Sequence, residues 1–353
     1  MTALSSSRGR VAALLSLVIS ISGIGAQCVL AAEAPSTGFD LARRDIQSFA
    51  TQVAKEHGLD RDAILATLAD AKPQQSILKA ISRPAEKSKP WHEYRAIFVT
   101  ESRIKRGRAF MVEHQQALSE TSERTGVPAT IIAAIIGIET NYGRITGSYR
   151  VLDALTTLAF DYPRRSEFFT RELEHFFLLT REESVDALTV KGSYAGAMGA
   201  AQFMPSSYRL YAADGNDDAS RDLWQSWDDV FASIANYFLA HGWQPDQPIA
   251  AAANASRTAA RNLETTILTP AYRLGFLKSQ GIEFTTSLDD NNIGSLLPYE
   301  NADGTEHLVG FQNFFVITRY NRSRLYARSV LELSAALGTP QPASAARNSA
   351  APR

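Results

Sequence analysis

The stretch Ile131-Ile132-Ala133-Ala134-Ile135-Ile136-Gly137-Ile138-Glu139-Thr140-Asn141-Tyr142-Gly143 decides the reading of this chain, because an apolar run of helical length ends there on a single carboxylate. A segment apolar on nearly every face belongs inside a core. A glutamate at its exit is half desolvated, which disfavours the charged form and raises the pKa toward the range of a general acid. Taken alone, a lone glutamate of this kind more often caps or salt-bridges a buried helix.

A second stretch, residues 191 to 208, shifts that balance. Lys191-Gly192-Ser193-Tyr194-Ala195-Gly196-Ala197-Met198-Gly199-Ala200-Ala201-Gln202-Phe203-Met204-Pro205 is a loop of small residues leading to a proline suited to opening a helix. Its glycines let a backbone approach a ligand closely, and Ser193 and Gln202 offer a hydroxyl and an amide. Such a loop can line a cleft for a polar polymer.

Together, Gly-Ile-Glu-Thr-Asn-Tyr-Gly (137 to 143) and Ala-Gly-Ala-Met-Gly-Ala-Ala-Gln-Phe-Met-Pro-Ser-Ser-Tyr (195 to 208) resemble the membrane-bound lytic murein transglycosylase B family, glycoside hydrolase family 103. Leu152-Asp153-Ala154-Leu155, Tyr162-Pro163-Arg164-Arg165, Ala235-Asn236-Tyr237-Phe238, His241-Gly242-Trp243 and Tyr320-Asn321-Arg322-Ser323 with Tyr326 continue the likeness in order, over roughly residues 85 to 335. The resemblance implies a mainly α fold of the α+β kind: a lysozyme-like catalytic core, an N-terminal helical lobe and a small antiparallel β lobe. It implies cleavage of the β-1,4 bond between N-acetylmuramic acid and N-acetylglucosamine with a 1,6-anhydromuramic product, Glu139 acting as acid and then base. Arg164 and Arg165 are by spacing alone a solvated helix start. Tyr94, Tyr237, Tyr320 and Tyr326 are by type alone packing residues. Through the resemblance the two arginines become contacts to acidic peptide stems, and the tyrosines, with Asn321, Ser193 and Gln202, become sugar contacts. Hydrolysis with Asp153 or Asp161 activating water is a second enzymatic reading, and a catalytically silent murein binder a third.

Asp214-Gly215-Asn216-Asp217-Asp218-Ala219-Ser220 sets oxygen-bearing side chains at alternating positions, as loops for hard cations do, with Asp228 or Asp229 available to close the shell. Ala219 stands where such loops usually carry glycine, and the closing carboxylate comes late, so by pattern alone this is a solvated acidic turn. The resemblance implies an elongated EF-hand-like calcium loop, with Asp214, Asn216, Asp218, Ser220 and Asp229 as ligands. No cofactor is expected for the chemistry itself.

Length and composition fit this picture. The 353 residues, 45% of them hydrophobic, suffice for two or three packed lobes. A formal charge of -1 argues against a generally basic nucleic-acid surface. Peptidoglycan strands are the implied partner of a monomer, with other cell-wall enzymes as further associates. Arg8 and Arg10 precede an uncharged run from Val11, followed by small residues at Ala31, Ala32 and Ala34, so residues 1 to 32 read as an export signal to the periplasm. Cys28 is the only cysteine, which leaves no intrachain disulfide. Gln27 occupies the place where a lipoprotein would carry a small residue, so a lipid anchor at Cys28 is the lesser reading.

The expected order is an N-terminal helical lobe (33 to 85), a catalytic core (86 to 280), a small β lobe with a closing helix (281 to 335) and a tail (336 to 353) rich in proline, alanine and serine. Asp60 is a plausible N-cap. Helices are predicted at about 102 to 123, 128 to 142, 151 to 159, 165 to 181 and 227 to 241. Short strands are predicted at Ile282 to Thr286, His307 to Gly310 and Phe314 to Thr318.

Overall fold

The computed structural model describes residues 38 to 82 and 89 to 339; the segment read on sequence as an export signal, Cys28 and the end of the tail lie outside the described residues. The N-terminal helices are α1 (Arg44–His57), α2 (Arg61–Ala69) and α3 (Gln75–Ser82), followed by α4 (Trp91–Phe98), α5 (Glu101–Glu113) and α6 (Gln115–Thr125). Next come α7 (Ala129–Thr140), α8 (Val151–Asp161), α9 (Ser166–Glu182), α10 (Pro205–Tyr211) and α11 (Trp227–Ala240). The last helices are α12 (Arg257–Leu263), α13 (Leu274–Ser279), α14 (Gln312–Tyr320) and α15 (Arg324–Gly338).

Helix α7 is the axis of the molecule. Residues Ile131 to Ile138 are all buried, and α5, α6, α11 and α15 pack around it. A helix without a polar face has no side to give to water, so it must be enclosed by others. Asp60 caps α2, accepting from the backbone N–H groups of Asp62 and Ala63, and Pro205 opens α10 at its first turn.

The N-terminal lobe is tied to the core by polar contacts that reach the backbone. Asp153 on α8 accepts from the Lys72 N–H at 2.9 Å and from Arg150, and Thr157 Oγ1 accepts from the Gln74 N–H at 3.1 Å. Arg43 bridges to Asp161 at 2.6 Å, and His57 on α1 meets Glu174 on α9 at 2.7 Å.

Two short strands, β1 (Tyr149–Arg150) and β2 (Lys191–Gly192), pair beside the central helices. The remaining strands, β3 (Ala250–Ala255), β4 (Tyr272–Arg273), β5 (Ile282–Glu283), β6 (Ile293–Asn301) and β7 (Gly304–Gly310), form one antiparallel sheet in the order β4-β6-β7-β3-β5. It has its own small core of Leu263, Leu274, Leu277, Ile282, Leu296, Val309 and Phe311.

Three local expectations are corrected. Phe314 to Thr318 is not a strand: it lies within α14, and residues Asn313 to Thr318 are all buried. A short aromatic and β-branched run fits a buried helix as well as a strand, and here burial on all sides decided it. The single helix at 102 to 123 is broken at His114, which ends α5 and precedes α6 with φ -110° and ψ 25°. The sheet also takes β3 from residues assigned on sequence to the catalytic segment, because Ala250 to Ala255 carries almost none of the branched and aromatic side chains that mark strands.

Candidate active site

Glu139 stands half-buried in the last turn of α7, directly after its fully buried run. The helix ends because Asn141, Tyr142 and Gly143 all take left-handed backbone conformations, with φ of 52°, 61° and 74°. Consecutive left-handed residues without glycine are costly, and such strain collects at functional sites. Tyr142 folds back over Gly137, where an added Cβ would fall 2.7 Å from its ring, so glycine at 137 is what lets the turn close.

The carboxyl of Glu139 is only partly open to solvent. Burial pushes its pKa up to about 7, and a hydrogen bond from the Tyr326 hydroxyl to Oε1 at 2.6 Å opposes that rise. No neighbouring carboxylate or cation contributes to the shift. Tyr326 is itself buried, and burial with the nearby Glu139 charge holds its phenol well above the ordinary tyrosine range, so it remains a donor.

Around this pair the structure gathers several of the residues singled out by sequence. Tyr320 donates to the Ala201 carbonyl at 2.6 Å, its ring meets that of Tyr237 at 5.0 Å, and both pack on Phe203. Tyr94, buried on α4, lies within electrostatic reach of Tyr326. Asn321 is buried, and its Oδ1 has no hydrogen-bond partner among the described residues. The Tyr237 hydroxyl is committed to the Arg319 carbonyl at 2.7 Å, which makes this residue first of all part of the wall.

The glycine-rich loop meets this end of α7, the Ala200 carbonyl lying 3.3 Å from the Thr140 hydroxyl. Ser193 Oγ turns into the loop, accepting from the N–H groups of Ala195 at 3.3 Å and Ala197 at 3.0 Å, which leaves its hydroxyl proton to donate. Gln202, at φ 53°, donates through Nε2 to the carbonyls of Thr146 at 3.0 Å and Gly199 at 2.9 Å. Its Oε1 takes no hydrogen bond among the described residues. Gly199 is required where it stands: a Cβ there would meet the Leu223 carbonyl oxygen at 2.4 Å.

Arg165, at the start of α9, stacks over Phe168 and Phe169 at 4.3 and 5.0 Å; burial lowers its pKa, and the nearby Glu172 opposes that. Arg164 beside it is exposed. Two carboxylates offered as water activators are engaged elsewhere, Asp153 with Lys72 and Arg150 and Asp161 with Arg43. Sequence reasoning passed over Thr140, a buried hydroxyl directly after Glu139; a lone polar residue at the end of an apolar helix was the signal for it.

The loop from 214 to 229 is a separate feature. Asp214 accepts from the N–H groups of Asn216, Asp218 and Ala219, and Asp218 accepts from Ser220, so the chain wraps around its own acidic side chains. Ala219 has φ 67°, the conformation glycine supplies in cation loops. Asp229, fully buried at the start of α11, closes the loop by accepting from Gly215 at 2.7 Å and Asp222 at 2.8 Å. Among the described residues, three acidic or imidazole ligand atoms come within 4.8 Å of one another at Glu56, His57 and Glu174, and not in this loop. A cation held by the loop would therefore draw also on Asn216 and on backbone oxygens, as hard cations do.

Comparison with known proteins shows the family. Residues 42–335 match the family model described as a transglycosylase SLT domain. The membrane-bound lytic murein transglycosylase B of Escherichia coli (strain K12) is 39% identical over 310 residues, 85% of this chain and 84% of the relative. Among solved structures, the catenated lytic transglycosylase SltB1 of Pseudomonas aeruginosa superposes with a TM-score of 0.81 at 43% identity, covering 84% of this chain and 97% of that one. The Escherichia coli lytic transglycosylase Slt35 in complex with calcium gives a TM-score of 0.78 at 38% identity, covering 86% and 95%. On this coverage and identity the chain belongs to the transglycosylase SLT family and is a lytic murein transglycosylase.

Proposed function

We propose that Glu139 carries the whole acid-base task of this enzyme. The observation behind this reading is a carboxyl lifted to about 7 by burial, held on one oxygen by Tyr326 and, among the described residues, without a second carboxylate acting on it. Glycosidases ordinarily use two carboxyl groups, and substrate-assisted enzymes are the exception in which the sugar's own N-acetyl group replaces the nucleophile. Glu139 first gives its proton to the glycosidic oxygen as the C1–O bond breaks, and the N-acetyl carbonyl oxygen closes on C1. The ionised Glu139 then takes the proton of the muramyl C6 hydroxyl as that oxygen attacks C1 and displaces the acetamido oxygen. No water is consumed, and the product ends in a 1,6-anhydro ring. Tyr326 occupies Oε1, which leaves Oε2 to carry the proton in both steps.

Ser193, Gln202, Asn321, Tyr94, Tyr237 and Tyr320 form the sugar-holding walls in this reading, and Arg164 and Arg165 meet the acidic peptide stems. Holding the ring in place converts remote binding energy into rate. Muropeptides released from purified sacculi, weighed by mass spectrometry, test the chemistry: anhydromuramic ends support it, and reducing ends alone make the enzyme a hydrolase.

Two further assignments complete the proposal. The loop of Asp214, Asn216, Asp218, Ser220 and Asp229 binds calcium as a structural ion, supported by its wrapping, by the conformation of Ala219 and by the calcium complex of the related Slt35. The protein works in the periplasm, where its substrate lies, as a monomer delivered by the signal at residues 1 to 32; no helix among the described residues is long and apolar enough to cross a membrane.

A further inference from the structure

We infer that Thr140 is a positioning residue, fixing the distance between the acid and the loop that holds the sugar; this rests on the proposed role of Glu139. Thr140 is fully buried between the two. Its Oγ1 accepts from the Gly143 N–H at 3.0 Å and lies 3.1 Å from the Ile136 carbonyl and 3.3 Å from the Ala200 carbonyl. The hydroxyl has one proton to give. Ile136 O already receives the backbone N–H groups of Asn141 and Tyr142, whereas Ala200 O has no other donor among the described residues. A buried carbonyl left unpaired is costly, so the proton belongs to Ala200.

This bond joins the residue after Glu139 to the segment before Gln202, across 60 positions of sequence. On the next peptide, the Ala201 carbonyl receives the Tyr320 hydroxyl at 2.6 Å. Two successive carbonyls of the loop are thus held, one from the catalytic helix and one from the far wall. Thr140 also closes the left-handed turn through Gly143, so a single hydroxyl sets both the end of α7 and the approach of the loop. It touches neither the sugar nor the reacting atoms and acts only through geometry.

The test is Thr140→Val, which keeps the shape and removes the hydroxyl, beside Thr140→Ser, which keeps the hydroxyl. Both are assayed as full-length mature protein on purified sacculi and on a soluble glycan fragment, with pH profiles. We expect Thr140→Val to fold, to lose about tenfold to a hundredfold in kcat with little change in KM, and to retain the basic limb of its profile near the wild-type position. Thr140→Ser restores most of the loss. Wild-type kcat in folded Thr140→Val overturns the inference. So does a basic limb displaced to lower pH, because that shows hydration of Glu139 at a frayed helix end and a merely structural role. If Thr140→Val does not fold, Thr140→Ser together with Tyr320→Phe, which frees the adjacent carbonyl, decides: wild-type kcat in Tyr320→Phe overturns the idea of a loop held in register. Glu139→Gln is run alongside; its full activity would remove the reading of Glu139 itself, whatever Thr140 does.

Discussion

Glu139 and the acidic loop at 214 to 229 use the same functional group to opposite ends. Glu139 is one carboxyl at the end of an apolar helix, with burial raising its pKa to about 7 and a single hydrogen bond opposing the rise. The loop carries Asp214 and Asp218 on a largely exposed turn where backbone N–H groups meet their oxygens. Desolvation makes a carboxyl into a proton donor, whereas the carboxylates of the loop are met by backbone N–H groups. The environment supplied by the fold, and not the residue type, separates the carboxyl proposed as the acid from those proposed to hold a cation.

The most severe way to break this comparison is Glu139→Gln. The amide keeps the shape and can still meet Tyr326, yet it can neither donate the acid proton nor accept the C6 hydroxyl proton. Loss of one general acid-base group costs about 10²–10⁴-fold in rate, and a residue serving both steps belongs at the upper end. Activity on sacculi should fall to near the detection limit while the circular dichroism spectrum stays native. Retained turnover would place the chemistry on another carboxyl.

The pH dependence sharpens the same point. As an acid, Glu139 must be protonated, so kcat/KM should be high below about 7 and fall as pH rises through that value. Tyr326 lowers the pKa by stabilising the carboxylate, so Tyr326→Phe should move the basic limb to higher pH as well as slow the reaction. For stability the sign is the reverse of a salt-bridged acid: the folded pKa lies above the ordinary value, so ionisation costs stability as pH rises from about 4.5 through 7. Glu139→Gln should therefore gain in Tm over wild type at pH 8 and show little gain at pH 4. A constant difference across that range would contradict the desolvated acid.

Glu139 was legible because its signal is local: eight buried residues precede it in one run, and the period needs no tertiary information. Its partner was not. Tyr326 lies 187 residues away, and a tyrosine on α15 carries no mark in its own neighbourhood of which carboxyl it will meet. Only the likeness to a family of known enzymes brought Tyr326 and Tyr320 forward. The direction of a side chain was likewise unreadable. Ser193 lies in a loop rich enough in glycine to face either way, and the backbone of that loop captured both its lone pairs. Phe314 to Thr318 misled because a five-residue apolar run is too short to distinguish a period of two from one of 3.6, while the helix that contains it spans nine. Ala250 to Ala255 was silent because its strand comes from pairing with β7 and β5 and not from its own preferences.

The mildest effect is expected at the other pole of the comparison, in the calcium response of Asp214→Ala. Asp214 is the hub of its loop, taking three backbone N–H groups, but the loop is exposed and water can replace what the substitution removes. Without calcium the variant should stay within about 1 kcal/mol of wild type, as changes at exposed sites do. With calcium at a hundredfold excess over Kd, a site present only in the folded state contributes about 2.7 kcal/mol, and the melting temperature of wild type should rise by a few degrees. That rise should vanish in Asp214→Ala, while muropeptides released well below the transition keep their anhydro ends, because among the described residues no hydrogen bond joins Asp214 to the site, and the loop's hydrogen bond to it runs through Leu223, whose carbonyl accepts from the Ala200 N–H. Asp229→Asn serves as the contrast: Asp229 is buried and joins Gly215 to Asp222, so this substitution should lower the melting temperature even in chelator. An equal calcium response in wild type and Asp214→Ala would remove the ion from the loop and leave an acidic turn held by its own hydrogen bonds, with Glu139 untouched by the result.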